Sequence, residues 1–112
     1  MARHVYAVFT NPVEGREDDY NDWYDNRHLD DVMAAAGFTT SRRLRLSATN
    51  PAQRSPHRYL ALYEIDTDDI DAVNAALLSA AGTDALPLSD ALDLTSLSGG
   101  YYEVITERHR QA

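Results

Sequence analysis

Cysteine is absent from this 112-residue chain, which excludes disulfides, thiolate metal sites and a cysteine nucleophile together. Lysine is absent too, so all ten residues of the Lys and Arg class are arginines. No apolar run approaches the roughly 20 residues of a membrane span. The opening Met1-Ala2-Arg3-His4 passes directly into an apolar alternation, without the hydrophobic region of a signal peptide. A cytoplasmic protein without a membrane partner is therefore expected. Basic charge is scarce: 18 acids against 10 arginines give a net charge of −8, which argues against nucleic acid as a partner. His4, His28, His57 and His109 are scattered, with no i,i+4 pair and no H-x-H, so no metal site is expected. A G-x-S-x-G nucleophile motif is missing, and Gly99-Gly100 precedes a strand, which removes a phosphate cradle at a helix start.

What is present suits a single domain over residues 1–112, with 44% apolar residues. Arg3 to Thr10 alternates as a strand, with Val5, Ala7 and Phe9 on one face and His4, Tyr6, Val8 and Thr10 on the other. Asn11-Pro12 ends it. Glu17, Asp18 and Asp19 put negative charge where a helix start favours it, and Gly37 suits the position after a helix end at Ala36. Phe38 to Leu46 reads as a second strand, with Phe38, Thr40, Arg42, Leu44 and Leu46 opposite Thr39, Ser41, Arg43 and Arg45. Ala48 to Pro56 carries the turn pairs Asn50-Pro51 and Ser55-Pro56 of a long hairpin loop. His57 to Ile65 is a third strand, with Tyr59, Ala61, Tyr63 and Ile65 on one face. Asp66-Thr67 offers an N-cap to a helix whose stripe is Ile70, Val73, Asn74, Leu77 and Ala81, ended by Gly82. Residues 83–100 are too leucine-rich to remain in water and are expected to pack on the sheet or on another subunit. Tyr101 to Glu107 is the last strand, followed by a frayed tail.

The stretch Tyr20 to Leu29 concentrates the aromatic residues. Tyr20, Tyr24 and His28 recur every four residues, so on a helix they are neighbours along a face. The phase then slips. At about 100° per residue, Tyr20, Trp23, Tyr24 and Arg27 share one side, while Leu29, Val32, Met33 and Ala36 gather on nearly the opposite side. A kink or break near Arg27–Asp30 follows, with His28 at the joint. The order β-α-β-β-α-β is the ferredoxin-like arrangement, α+β with a four-stranded antiparallel sheet. Helices on one side leave the other side bare, and the strands are apolar on both. The bare face therefore predicts a homodimer.

Asn11-Pro12-Val13-Glu14-Gly15-Arg16-Glu17-Asp18, Trp23-Tyr24-Asp25-Asn26-Arg27-His28-Leu29, Gly37-Phe38 and Arg58-Tyr59-Leu60-Ala61-Leu62-Tyr63-Glu64 together resemble the EthD-like branch of the dimeric α+β barrel superfamily, over residues ~3–107. W-Y-x-x-x-H-L followed by G-F is the specific part. Family patterns usually carry proline after H-L and before G-F, where this chain has Asp30 and Ala36. The resemblance implies a homodimer whose sheets face each other as a barrel, with a pocket in each subunit between its helices and its own sheet. It also implies a range of activities: cofactor-free monooxygenases, polyketide cyclases, lactone isomerases, haem binders and proteins of no known activity.

Within that frame His28 is the candidate general acid/base, since its side chain titrates nearest neutrality. Asp25, Asp30 or Asp31 is expected to orient the ring and raise its pKa; the alternative is a hydrogen-bonded histidine at a helix joint. Tyr24 and Tyr63 are the candidate donors to a substrate oxygen, as in an oxyanion hole, and Tyr20, Trp23 and Tyr59 the candidate substrate-binding walls, although each also suits a core. Glu64 and Glu103, mid-strand acids, are expected to pair with Arg42, Arg43 or Arg45. The function expected is a cofactor-independent isomerase, cyclase or monooxygenase acting on a small, largely apolar carbonyl or phenolic compound. The alternative is a dimeric binding protein for a hydrophobic small molecule, and haem ligation by His28 is a third possibility.

Overall fold

The computed structural model describes residues 1–47 and 55–111. The chain order is β1 (Ala2–Thr10), α1 (Glu17–Trp23), a π-helical turn (Tyr24–His28), α2 (Leu29–Ala36), β2 (Thr40–Arg45), β3 (Tyr59–Thr67), α3 (Ile70–Ala80) and β4 (Ser98–Glu103). All four strands form one antiparallel sheet in the order β2-β3-β1-β4. This is the ferredoxin-like α+β arrangement. The hairpin-loop expectation over 48–54 lies outside the described residues.

Register assigns the two faces. Tyr6 stands opposite both Tyr63 and Tyr101, and Arg43 opposite Ala61. Because side chains alternate, His4, Tyr6, Val8 and Thr10 share the helix-covered face with Tyr59, Ala61 and Tyr63. Val8, Tyr59, Ala61 and Tyr63 there pack with Tyr20, Tyr24, Val32, Val73 and Leu77 as the core. The opposite face carries Val5, Phe9, Leu60 and Leu62, half-buried, with Leu44 and Tyr102 exposed. None of these six belongs to the core cluster or packs against it.

Several element boundaries differ from the sequence expectation. The last strand begins at Ser98 and ends at Glu103, three residues earlier at its start than the tyrosine pair suggests. Gly99 explains the shift: a Cβ there would sit 2.5 Å from the Ala7 carbonyl oxygen, so only glycine permits this approach to β1. Strand β3 continues to Thr67, and Asp69, not Asp66-Thr67, caps α3 by accepting a 3.0 Å hydrogen bond from the Ala72 N–H. Residues 83–97 do pack inward: Leu86, Ala91 and Leu92 are buried, and the segment is tied to the loop after β1 by Val13 N–H donating to Ala91 O and Asp93 N–H to Asn11 O. Leu88, Leu94 and Leu97 of the same segment are exposed.

In place of the expected break near Arg27–Asp30 there is a wider turn over Tyr24–His28, which overlaps that stretch and ends at His28. Trp23, Tyr24, His28 and Leu29 all keep right-handed helical dihedrals, so the helix does not kink at a residue. Leu29 N–H instead donates to Tyr24 O, five residues back, which defines the π turn. In an α-helix a four-residue step overshoots one turn by about 40°, so a ladder at this spacing drifts off its face. The wider turn holds more residues and corrects the drift. Tyr20, Tyr24, His28 and Val32 are all buried as a result. The phase slip needs no proline, which accounts for Asp30. Gly37 ends the helix in the left-handed conformation at φ 81°, as its position predicts.

Candidate functional site

The sequence of the long helix fixes what the sheet beneath it meets. Tyr24 and His28, one π turn apart, project toward Tyr63 at the middle of β3 and toward Val8 and Thr10 of β1. Between them lies a cavity of about 180 Å³. Its wall includes Tyr6, Val8, Thr10, Tyr24, His28, Val32 and Tyr63 from the sheet and helix. Leu77, Leu78 and Ala81 of the α3 side and Leu86, Leu88, Leu92, Leu94 and Leu97 of the following segment complete it. None of these fifteen residues is an Asp, Glu, Lys or Arg.

Tyr24, His28 and Tyr63, expected as the chemical groups, thus share one cavity. Tyr20, Trp23 and Tyr59, expected as its walls, stand outside it. Trp23 stacks flat on His28 with ring centres 4.2 Å apart, and Tyr24 meets the same imidazole edge-on at 4.9 Å. Tyr20 lies behind Tyr24, its hydroxyl hydrogen-bonded to Thr10 Oγ1. Tyr59 donates to the Glu17 carboxylate, away from the cavity. Tyr6 and Thr10 are the wall residues that helical spacing did not reveal; their signal was the β1 face shared with Val8.

His28 is almost fully buried, and its Nδ1 is sealed from solvent without a hydrogen-bond partner among the described residues. Burial lowers its pKa to about 4; Asp31 opposes that shift and Arg43 adds to it. The expectation of a raised pKa is therefore reversed in sign. Asp31 is engaged with Arg27 at 3.0 Å and Asp25 with Arg43 at 2.7 Å, while Asp30 is exposed, so no carboxylate hydrogen-bonds the ring. His28 is a neutral imidazole at cellular pH.

The Tyr63 hydroxyl is also sealed and makes no hydrogen bond of full geometry among the described residues, although the Tyr24 hydroxyl lies close enough to act on it. Burial and the neighbouring Tyr24 push its pKa far above the usual phenol value, and burial raises Tyr24 to about 12. Both tyrosines keep their protons and stay donors throughout the physiological range.

Behind the helix, Arg43 is held at one edge of the aromatic cluster. Its guanidinium carbon lies 4.5 Å from the centre of the Tyr24 ring, 5.3 Å from Tyr20 and 5.2 Å from Tyr59. It donates to Asp25 Oδ1 and, at 2.8 Å, to Asn21 Oδ1. The expected ion pairs of Glu64 and Glu103 with Arg42, Arg43 or Arg45 do not form among the described residues; Glu64 is half-buried on the open sheet face and Glu103 is exposed.

No protein-family model matches the chain, and no curated protein matches it in sequence. Solved structures do share its fold. An EthD family protein from Bacillus halodurans superposes with a TM-score of 0.53 at 16% identity, covering 94% of this chain and 100% of its own. An EthD-like protein from Ralstonia eutropha gives 0.59 at 15% identity, with 96% of each chain covered. The haem degrader MhuD of Mycobacterium tuberculosis, solved with two haems in its active site, gives 0.61 at 17% identity, covering 95% of this chain and 99% of its own. At these identities the shared property is the fold.

Proposed function

We propose that this chain, EthD-like in fold, is a cofactor-independent enzyme that enolises a small, largely apolar carbonyl or phenolic compound. The observation that carries the reading is a pair of buried polar atoms, His28 Nδ1 and Tyr63 Oη, left without partners in residues that share one apolar cavity wall. Native interiors seldom leave such atoms unmatched, because each costs about 1–3 kcal/mol. A ligand bearing one acidic hydrogen and one oxygen matches both once the side chains that seal these atoms shift to admit it.

In this reading the neutral imidazole removes the proton from a carbon next to the carbonyl, or from a phenol. The C–H or O–H bond breaks, the proton passes to the ring, and the electron pair moves onto the ligand oxygen. Tyr63 and Tyr24 donate hydrogen bonds to that oxygen as its charge develops. Imidazolium and enolate form together in a low-dielectric site, so their attraction raises the effective pKa of His28 as the proton arrives. Return of the proton to a different carbon completes an isomerisation, and attack by the enolate on a second carbonyl would complete a cyclisation. Deuterium incorporation beside the carbonyl of candidate ketones, followed by NMR, tests the first step. Replacing His28 with alanine is expected to slow exchange by about 10²–10⁴-fold, and Tyr63→Phe by at least tenfold. Wild-type exchange in His28→Ala sinks the proposal.

A low pKa on the free site also supports a second reading, in which the imidazole only accepts a hydrogen bond and the protein sequesters its ligand unchanged. Recovery of unaltered compound together with no exchange in any variant selects it.

The cavity's residues do not fit a haem. An engineered cavity of roughly 150 Å³ takes one benzene, and this one, at about 180 Å³, is far below the volume of a tetrapyrrole. Among the described residues its wall offers no arginine for propionate groups, and the sealed His28 nitrogen lacks the carbonyl or carboxylate that usually orients a ligating imidazole.

Pairing of the open sheet faces supports a homodimer. Val5, Phe9, Leu44, Leu60 and Leu62 form an apolar surface on a chain otherwise rich in charge, and a two-fold partner buries it against itself. Light scattering behind size exclusion is expected to give twice the 12.5 kDa chain mass at micromolar concentration. A stable monomer there contradicts the pairing.

A further inference from the structure

We infer that the ligand of this cavity is an amphiphile, an enol or phenol head carrying an aliphatic tail, with the head at the sealed end and the tail laid along a collar of leucines at the mouth. The inference rests on the head-binding role proposed for His28 and Tyr63 and extends it to the substrate's other end.

The argument is a gradient of polarity that runs opposite to exposure. Of the imidazole and hydroxyl groups in the wall, Thr10, Tyr24 and Tyr63 are no more than 1% exposed and His28 is 9% exposed, with Tyr6 half-buried. The open end consists of Leu78 at 66%, Leu94 at 61%, Leu88 at 45% and Leu97 at 44% exposure.

The collar also comes from two separate elements. Leu78 follows the buried Leu77 on α3, and Leu88, Leu94 and Leu97 lie on the segment pinned down through Ala91 and Asp93. Convergence of two independently anchored elements on one mouth makes an accidental scatter of exposed leucines a poor account. Single exposed leucines are ordinary, but four around one opening form a continuous apolar track. An aliphatic chain extending from a head at His28 meets this track on its way out of the cavity. Burial of its methylenes against the collar also removes the four leucines from water.

Trp23 provides the readout, being the only tryptophan and stacked directly on His28. The full chain is titrated with phenol, 4-butylphenol and 4-hexylphenol, below their self-association limits, while Trp23 fluorescence is followed. The dissociation constant is expected to fall about fourfold for each methylene that reaches the collar. The double variant Leu78→Ser, Leu94→Ser changes two exposed positions, so the fold is retained, as circular dichroism verifies. It is expected to cut the gain per methylene by half or more. A dissociation constant that does not change with chain length overturns the inference, as does an equal gain in the double variant. A collar covered by a second copy would show as a loss of dimer mass in the double variant without any chain-length effect, which also overturns it. Failure of every phenol to perturb Trp23 removes the head site and the tail site together. A steep chain-length effect that persists in His28→Ala leaves the tail inference standing and removes only the head assignment.

Discussion

Between pH 7 and pH 4 the protein is expected to lose about 3 kcal/mol of stability through His28 alone, and replacing His28 with phenylalanine is expected to abolish that loss. The ring's pKa falls from 6.5 in the unfolded chain to about 4 in the fold. Above pH 6.5 both states hold a neutral imidazole and the shift has no effect. As the pH drops below 6.5 the unfolded chain takes up a proton that the folded chain refuses, so unfolding becomes progressively favoured until about pH 4, where the folded ring also charges. Each pKa unit corresponds to about 1.4 kcal/mol. Phenylalanine keeps a planar ring against Trp23 and removes the sealed nitrogen. Urea unfolding at pH 7, 5.5 and 4 checks this. Glu17 and Glu107, held below the usual carboxylate range by Tyr59 and Arg3 respectively, add their own acid sensitivity to wild type and variant alike. The difference between the two proteins therefore isolates the histidine. Parallel curves for wild type and His28→Phe would show that the imidazole is not excluded from water as described. On the proposed function, a saturating phenol should deepen the wild-type loss and extend it below pH 4, because a bound state that needs the neutral ring refuses the proton longer than the free fold.

The second large effect belongs to Arg43. Replacing it with leucine is expected to cost about 2–4 kcal/mol, measured by urea unfolding at pH 7. The charge of Asp25 is not the reason, since that carboxylate is 59% exposed and water takes over its solvation. The loss comes from the three tyrosine faces that lose a cation lying 4.5 to 5.3 Å from their centres, and from a side chain only 13% exposed whose packing leucine cannot reproduce. Lysine keeps the charge but not the planar fork that lies on Tyr24 while reaching Asn21 and Asp25, so Arg43→Lys should recover less than half of the loss. Removal of Arg43 should also raise the His28 pKa, because its positive charge opposes protonation of the ring. A change under 0.5 kcal/mol in Arg43→Leu would reduce the stacking to coincidence.

Much of this molecule is legible in its sequence because alternation and turn chemistry act locally. The β-α-β-β-α-β order, the faces of β1 and β3, and the stop at Gly37 follow from periods of two and 3.6 and from one left-handed glycine. The phase slip after Arg27 was equally visible, but a slip can be relieved by a kink or by a wider turn. That choice depends on whether the sheet below accepts Tyr24 and His28 together, which is a tertiary fact. The sign of the His28 shift was hidden for a related reason. Three aspartates lie within three residues of it, yet Arg27 engages Asp31 and Arg43 engages Asp25. Proximity in sequence counts charges without saying which are already neutralised. Gly99 was read as a poor phosphate cradle, whereas its role is the close approach of β4 to β1, a contact between residues ninety positions apart.

The π turn at Tyr24–His28 has a mechanical consequence. A wide turn in a helix is a dislocation: exchange of five-residue for four-residue bonding at its edge moves it along the axis, and everything beyond rotates with it. In a helix of alanines it would be free to glide. Here the Trp23–His28 stack and the edge contact of Tyr24 with the same imidazole clamp it from both ends. The imidazole that lines the cavity is thus also the pin that holds the helix in register. Any event that turns or displaces His28 releases the dislocation, and the orientation of Val32 and the rest of α2 then changes with it.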